Sequence, residues 1–112
     1  MQRTEDGYVI ISCDFCGTDW DEVIPMIEGH HGSVICLSCL QTALKQQVEA
    51  AVSFECTLCL QHRPEGTIAW TPMNRPASAN PRAMACSSCI KQAAGTFSKD
   101  PDIDWKWDRS KS

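Results

Sequence analysis

The sequence has no apolar run approaching the roughly 18–20 residues that a membrane-spanning helix needs, so no membrane segment is expected. It is also poor in large hydrophobic side chains. Of its 48 hydrophobic residues, eight are cysteine and ten are alanine, which leaves 30 larger ones in 112 residues. Shared between two lobes that is about 15 each, and domains so small rely on disulfides or metal to stay folded. The first residues, Met1-Gln2-Arg3-Thr4-Glu5-Asp6, lack the basic-then-apolar layout of a secretion signal, which predicts a cytoplasmic protein. No Gly-x-x-x-x-Gly-Lys-Ser/Thr phosphate loop, Ser/His/Asp set or carboxylate pair stands out. A secreted disulfide scaffold and a large-pocket enzyme both fit poorly, and no catalytic role is expected.

Cysteine is what the chain has in excess. Its eight cysteines form four C-x-x-C pairs, Cys13/Cys16, Cys36/Cys39, Cys56/Cys59 and Cys86/Cys89, with none left over. A C-x-x-C turn aims two sulfurs at one point, and two such turns supply the tetrahedral thiolates that Zn²⁺ requires. Two zinc ions per chain, held by all eight cysteines, are therefore predicted. Disulfides would need an oxidising compartment, and a thioredoxin-type motif would need one active pair in a βαβ setting. Iron in four thiolates would use the same ligands, and the sequence leaves that alternative open. Each site would be closed, holding the fold together without Lewis-acid chemistry. Four thiolates around one Zn²⁺ carry −2, so two sites move the net charge from −4 to about −8.

The segments between the pairs bear on which pairs share an ion. Gly17 suits the end of a metal-binding knuckle. Residues 22–27 are apolar and β-prone, 28–32 form a turn that includes His30 and His31, and 33–35 return to Cys36, which reads as a hairpin. From Cys36 the period changes: Leu37, Leu40, Leu44, Val48 and Ala51 mark an amphipathic helix of about four turns over 37–52. The second half repeats the plan. Cys56 and Cys59 form a knuckle, residues 67–71 a strand, and 72–82 an irregular loop with three prolines. Cys89, Ile90, Ala93, Ala94 and Phe97 then mark a shorter helix weakened by Gly95. Knuckle, hairpin and helix, twice over, give a small metal-stabilised α+β fold of two tandem treble clefs, residues 1–53 and 54–112. This repeat favours sequential pairing of the ligands over a cross-braced, RING-like one.

Cys13-Asp14-Phe15-Cys16-Gly17, then Glu22-Val23, Met26-Ile27 and Gly29, then Val34-Ile35-Cys36-Leu37-Ser38-Cys39 resemble the N-terminal C4 zinc-binding domain of the bacterial unfoldase ClpX. The resemblance covers residues 12–48. Met26 replaces the usual leucine, and His30-His31 stand where that family often has a proline. It implies a treble clef of the kind that in ClpX dimerises and docks adaptors and substrates, without the ATPase module. A protein partner is the corresponding expectation here. Two clefs in one chain could form that pair internally, giving a monomer whose lobe–lobe interface includes Leu40, Leu44 and Val48. The ordinary alternative is a homodimer.

The surface adds two features. Residues 1–55 carry a balance of −7 and residues 56–112 one of +3, so the lobes attract one another or different partners. Arg63, Arg75, Arg82 and Lys91 are scattered, and nucleic-acid binding is only the alternative function. In Asp102-Ile103-Asp104-Trp105-Lys106-Trp107-Asp108, apolar and charged residues alternate strictly, which predicts a half-buried C-terminal strand. That strand would pack on its own lobe or pair with another chain. Trp20 and Trp70 are expected to cover the metal sites, and His30, His31 and His62 are not needed as ligands.

Overall fold

A computed structural model describes residues 1–29, 32–73 and 76–107. The predicted turn residues His30 and His31, the basic residue Arg75 and the tail residue Asp108 lie outside them. The chain is a small α+β protein with two helices, α1 (Leu37–Gln46) and α2 (Ser87–Lys99). Nine short strands form four small sheets around them.

The first element is a hairpin that the sequence reading passed over. Strands β1 (Gln2–Glu5) and β2 (Tyr8–Ile11) pair antiparallel with Glu5 opposite Tyr8. Asp6 and Gly7 join them, both at positive φ (50° and 82°). That is the backbone of a tight two-residue turn, for which Asp-Gly is a preferred sequence. The first knuckle follows, then β3 (Met26–Glu28) and β4 (Val34–Cys36), with Ile27 opposite Ile35. The expected strand over 22–27 is cut short at its start. The Asp21 carboxylate accepts from the N–H groups of Val23 and Ile24, and Glu22 takes φ 68°, so the chain bends before it extends.

Helix α1 starts where expected, with Cys36 as its N-cap. It stops at Gln46, well short of residue 52. Val48–Glu49 leave the helix to become β5, which pairs with β8 (Ile68–Trp70) of the second half. Ala50 extends that join, donating to the Thr67 carbonyl (2.9 Å) and accepting from the Gly66 N–H (2.9 Å). Strand pairing across the molecule overrides the local helical period, and the β-branched Val48 and Val52 resist it least. The expected burial is corrected accordingly. Leu40 is fully buried and Leu44 is half-buried, but Val48 is 62 % exposed.

Strands β6 (Phe54–Glu55) and β7 (His62–Arg63) flank the second knuckle, and β9 (Ala85–Cys86) pairs with β8 to complete the order β5-β8-β9. Helix α2 is the longer helix, contrary to expectation. Gly95 sits in it with nothing near its Cα, so its cost is conformational only, and the buried stripe Cys89, Ile90, Ala93, Ala94 and Phe97 outweighs it. The helices pack on one another, and one buried cluster runs from Phe15 through Leu40 and Trp70 to Ile90 and Phe97.

Residues 102–107 do not form a strand. Ile103 donates to the Asp100 carbonyl (3.2 Å) and Asp102 to the Asp100 carboxylate (2.9 Å), which turns the chain at the end of α2. Lys106 Nζ then reaches the Ser98 carbonyl (2.7 Å), the cation at the helix C-terminus that the dipole favours. Trp107 N–H donates to Ser98 Oγ (2.8 Å). The alternation survives without a ladder: Ile103, Trp105 and Trp107 lie half-buried against the core while Asp102, Asp104 and Lys106 are exposed.

The loop over 72–82 ties the second half to the first. Asn80 donates through its N–H to the Asp14 carbonyl (2.8 Å) and through its amide to the Asp14 carboxylate (3.1 Å). Gly17 lies beneath this loop at φ 75°, where an added Cβ would stand 2.8 Å from the Ser78 carbonyl carbon and 2.9 Å from the Ala79 nitrogen. Gly66, at φ 91°, has open space around it. Gly66→Ala should therefore lose about 1–2 kcal/mol through backbone strain alone. Gly17→Ala should lose clearly more, since the loop must also shift; denaturant unfolding of both zinc-loaded variants compares them, and equal losses would refute the contact.

Candidate metal centres

The structure gathers the cysteines into two groups. Cys13, Cys16, Cys36 and Cys39 form one, and Cys56, Cys59, Cys86 and Cys89 the other, with the sulfurs of each within 4.8 Å of one another. The grouping is sequential along the chain, and no interleaved group occurs among the described residues. Cys13 to Cys39, Cys16 to Cys36 and Cys56 to Cys89 are each 3.8 Å apart between sulfurs. All eight are free thiols, far from the roughly 2.05 Å of a disulfide. Four thiolates at a Zn–S distance of about 2.3 Å define a tetrahedron with an edge of about 3.8 Å. Three sulfur pairs already stand at that spacing and the rest lie within 4.8 Å, so each group fits a zinc ion.

The two centres are built on one template. Cys36 N–H donates to Cys13 Sγ, and Cys86 N–H to Cys56 Sγ, both at 3.4 Å. Each knuckle closes on a bond from the fourth residue after its first cysteine: Gly17 N–H to the Cys13 carbonyl and Leu60 N–H to the Cys56 carbonyl, both 2.8 Å. Each is also bridged to the strand before its helix. Asp14 N–H donates to the Val34 carbonyl (2.9 Å) and Thr57 N–H to that of Met84 (2.8 Å). In return Val34 N–H donates to the Asp14 carboxylate (3.0 Å) and Met84 N–H to the Thr57 hydroxyl (2.9 Å). Cys36 and Cys86 cap α1 and α2, so the second ligand pair of each centre sits on the first turn of a helix, where the dipole favours thiolates.

The charge on the sulfurs is unevenly held. Side-chain hydrogen bonds from Cys36 and Cys39 hold the Cys13 thiol far down, to about 2, against the burial that would raise it. Its donors are raised in turn, Cys36 to about 12 and Cys39 further, in each case chiefly because they donate to Cys13. In the second group burial is the main influence on Cys56 and Cys89 and pushes both up. At Cys59 burial is outweighed by the Gln61 N–H and the Arg63 guanidinium, which bring it down to about 7. Four thiolates this close repel one another, so a set that is fully deprotonated requires a cation at its centre.

Several neighbours of the sulfurs carry no signal in the cysteine spacing. The Thr18 hydroxyl lies 3.2 Å from Cys16 Sγ, and Arg63 Nη2 donates to Cys59 Sγ at 3.5 Å. Arg63 therefore faces a centre and does not belong to a surface patch with Arg82 and Lys91. Trp70 covers the first knuckle, its ring 5.3 Å from that of Phe15 at 30°. Trp20 is 46 % exposed. His62 is exposed on β7 and belongs to neither group.

Residues 11–46 match the family model of the ClpX C4-type zinc finger. The match ends on the last residue of α1, so it takes in the first knuckle, β3, β4, α1 and the whole first centre. The second four-cysteine group, over residues 56–89, lies beyond it. No curated protein and no solved structure matches the chain. The ClpX-type finger is a zinc-binding unit, and the second half repeats its hydrogen-bond template at a second site of the same donor set. Cys16→Ser and Cys59→Ser, each at a half-buried sulfur, should each lower the zinc count by native mass spectrometry from two to one. Loss of both ions from either variant would show that the centres are not separate.

Proposed function

We propose that this is a non-catalytic, cytoplasmic protein-interaction module in which the eight cysteines hold two structural zinc ions. On this reading residues 1–53 and 54–112 are two treble clefs, fused so that α1 on α2 serves as an internal pairing surface. A four-sulfur centre leaves the ion no open position, so its contribution is to fix the frame. The ion supplies cross-linking of knuckle to helix when bound; recognition falls to the chain's own surface.

The observation that carries the reading is an open strand edge in the ClpX-type finger. Leu37 N–H donates to the Pro25 carbonyl and Gly29 N–H to the Ser33 carbonyl, so Pro25, Ile27 and Gly29 turn their backbone groups toward β4. By alternation, Met26 and Glu28 turn theirs outward. Among the described residues no strand takes that side of β3. In the second half the corresponding side of β8 is filled by β5. An open edge beside a caged metal centre suits an extended segment of a protein partner, joined by main-chain hydrogen bonds. No helix is long and apolar enough to cross a membrane.

Glu28→Pro tests this directly. It removes an outward N–H while leaving the β3–β4 ladder intact, a place where an edge strand accepts proline. The variant should keep two zinc ions and lose the proteins retained by the unmodified chain in a pull-down. Retention of the same set at equal yield would count against strand addition. Salt-dependent retardation of nucleic acid by both proteins would favour the alternative function.

A further inference from the structure

We propose that Arg63 is a positioning residue of the second metal centre. Its guanidinium holds the Cys59 sulfur and offsets part of the centre's negative charge, so this centre keeps its ion under attack by a neutral electrophile while the first gives its ion up. The proposal rests on the zinc-binding reading above and concerns the difference between two centres that share one template.

The two centres share the backbone bonds of their knuckles but differ at the helix cap, where Cys39 N–H reaches Cys36 Sγ (3.4 Å) and Cys86 has no such bond; the contrast in charge lies in what meets the outermost sulfur. Cys16 and Cys59 occupy the same place in their knuckles and are both half-buried. At Cys16 the neighbour is a neutral hydroxyl, Thr18 Oγ1. At Cys59 it is a cation, Arg63 Nη2. Four residues after the second knuckle cysteine, the first half has the exposed Trp20, where the second half has Arg63.

Arg63 is committed to this place. Strand β7 sets its backbone opposite Phe54 in β6. No carboxylate pairs with it among the described residues, unlike Arg3, which is bonded to Asp19 and Glu5. Its Nε is buried without a partner, so the sulfur contact is what orients the fork. A guanidinium cannot give up its proton, and a charge-assisted hydrogen bond to a thiolate is stronger than one from a hydroxyl. Four thiolates and one Zn²⁺ carry −2; with Arg63 counted, the second centre carries −1. The first centre has no such offset and sits in the half whose balance is already −7.

Lower electron density on a metal-bound sulfur makes it a poorer nucleophile. With N-ethylmaleimide, the sulfur lone pair forms a bond to the alkene carbon and the Zn–S bond breaks. The adjacent carbon takes a proton from water, and the ion leaves as further sulfurs react. Zinc release and mapping of the alkylated cysteines by mass spectrometry give the rate and order for each centre. The starting count must be two ions; any other count overturns the zinc reading itself, separately from this proposal. With two ions present, the first centre should be alkylated and emptied before the second.

Arg63→Gln should speed loss from the second centre by about tenfold, the low end of what removing an outer partner of a metal site costs. Loss from the first centre should be unchanged, which also reports that the variant is folded. Arg63→Lys keeps the charge and should restore most of the protection, an outcome that a purely packing role would not give. Simultaneous loss from both centres in the unmodified protein, loss from the second first, or no effect of Arg63→Gln would each overturn the proposal.

Discussion

Two hydrogen bonds from backbone to sulfur hold the rest of the structure in place. Cys36 N–H to Cys13 Sγ and Cys86 N–H to Cys56 Sγ each join the first cysteine of a knuckle to the capping residue of a helix some 23 or 30 residues later. They are strongest when the acceptor sulfur is a thiolate, and a cluster of four thiolates requires a central cation. Metal, knuckle and helix start are therefore one unit. A chain with 30 large apolar residues gains little from its core alone, whereas structural zinc contributes about 10–16 kcal/mol per site.

The two units do not behave as beads on a string. The chain leaving α1 becomes the outer strand of the second half's sheet. The loop over 72–82 returns to the first knuckle through Asn80 and Asp14, and Trp70 of β8 lies over Phe15. Each half thus completes the other: the second receives a strand, and the first receives a cover for its knuckle. Gly29 marks a further close approach, since a Cβ there would stand 2.7 Å from the Leu58 carbonyl oxygen of the second knuckle. Contacts of this kind join the two halves in one buried cluster.

Sequence reasoning read the metal chemistry more fully than the lengths of the elements. Four C-x-x-C pairs marked the knuckles, because the knuckle is a local structure whose geometry travels with its spacing, while which pairs share a centre was favoured only by the repeat of knuckle, hairpin and helix between them. The start of each helix was legible for the same reason: the third and seventh cysteines are the caps. The ends were not. Val48 continues the apolar stripe of α1, yet it joins β8, and nothing local says that a strand 20 residues later has a free side. Gly95 looks like a breaker until Ala94 and Phe97 are seen to be buried beside it. The tail shows alternation correctly read as one apolar face, but the ladder it implied gives way to Lys106 on the end of α2. Arg63 was legible only as a charge; its partner is a sulfur that the fold brings to it.

The differences between the halves fall at corresponding places. The open side of β3 corresponds to the filled side of β8, and the hydroxyl at Cys16 corresponds to the guanidinium at Cys59. The knuckle that ends in Gly17 corresponds to one that ends in Leu60, held at φ 60° where a side chain costs about 1–2 kcal/mol. A strained residue persists only where its surroundings over-determine it, and here β6 and β7 brace that knuckle on both sides. The second half has its sheet edge used and the charge of its centre partly offset by Arg63. The ClpX-type half keeps an unfilled edge and the more negative sequence. Main-chain pairing and charge, the two features that a partner would read on the proposed function, therefore lie on the same half, while in the second half the corresponding strand side is already taken by β5.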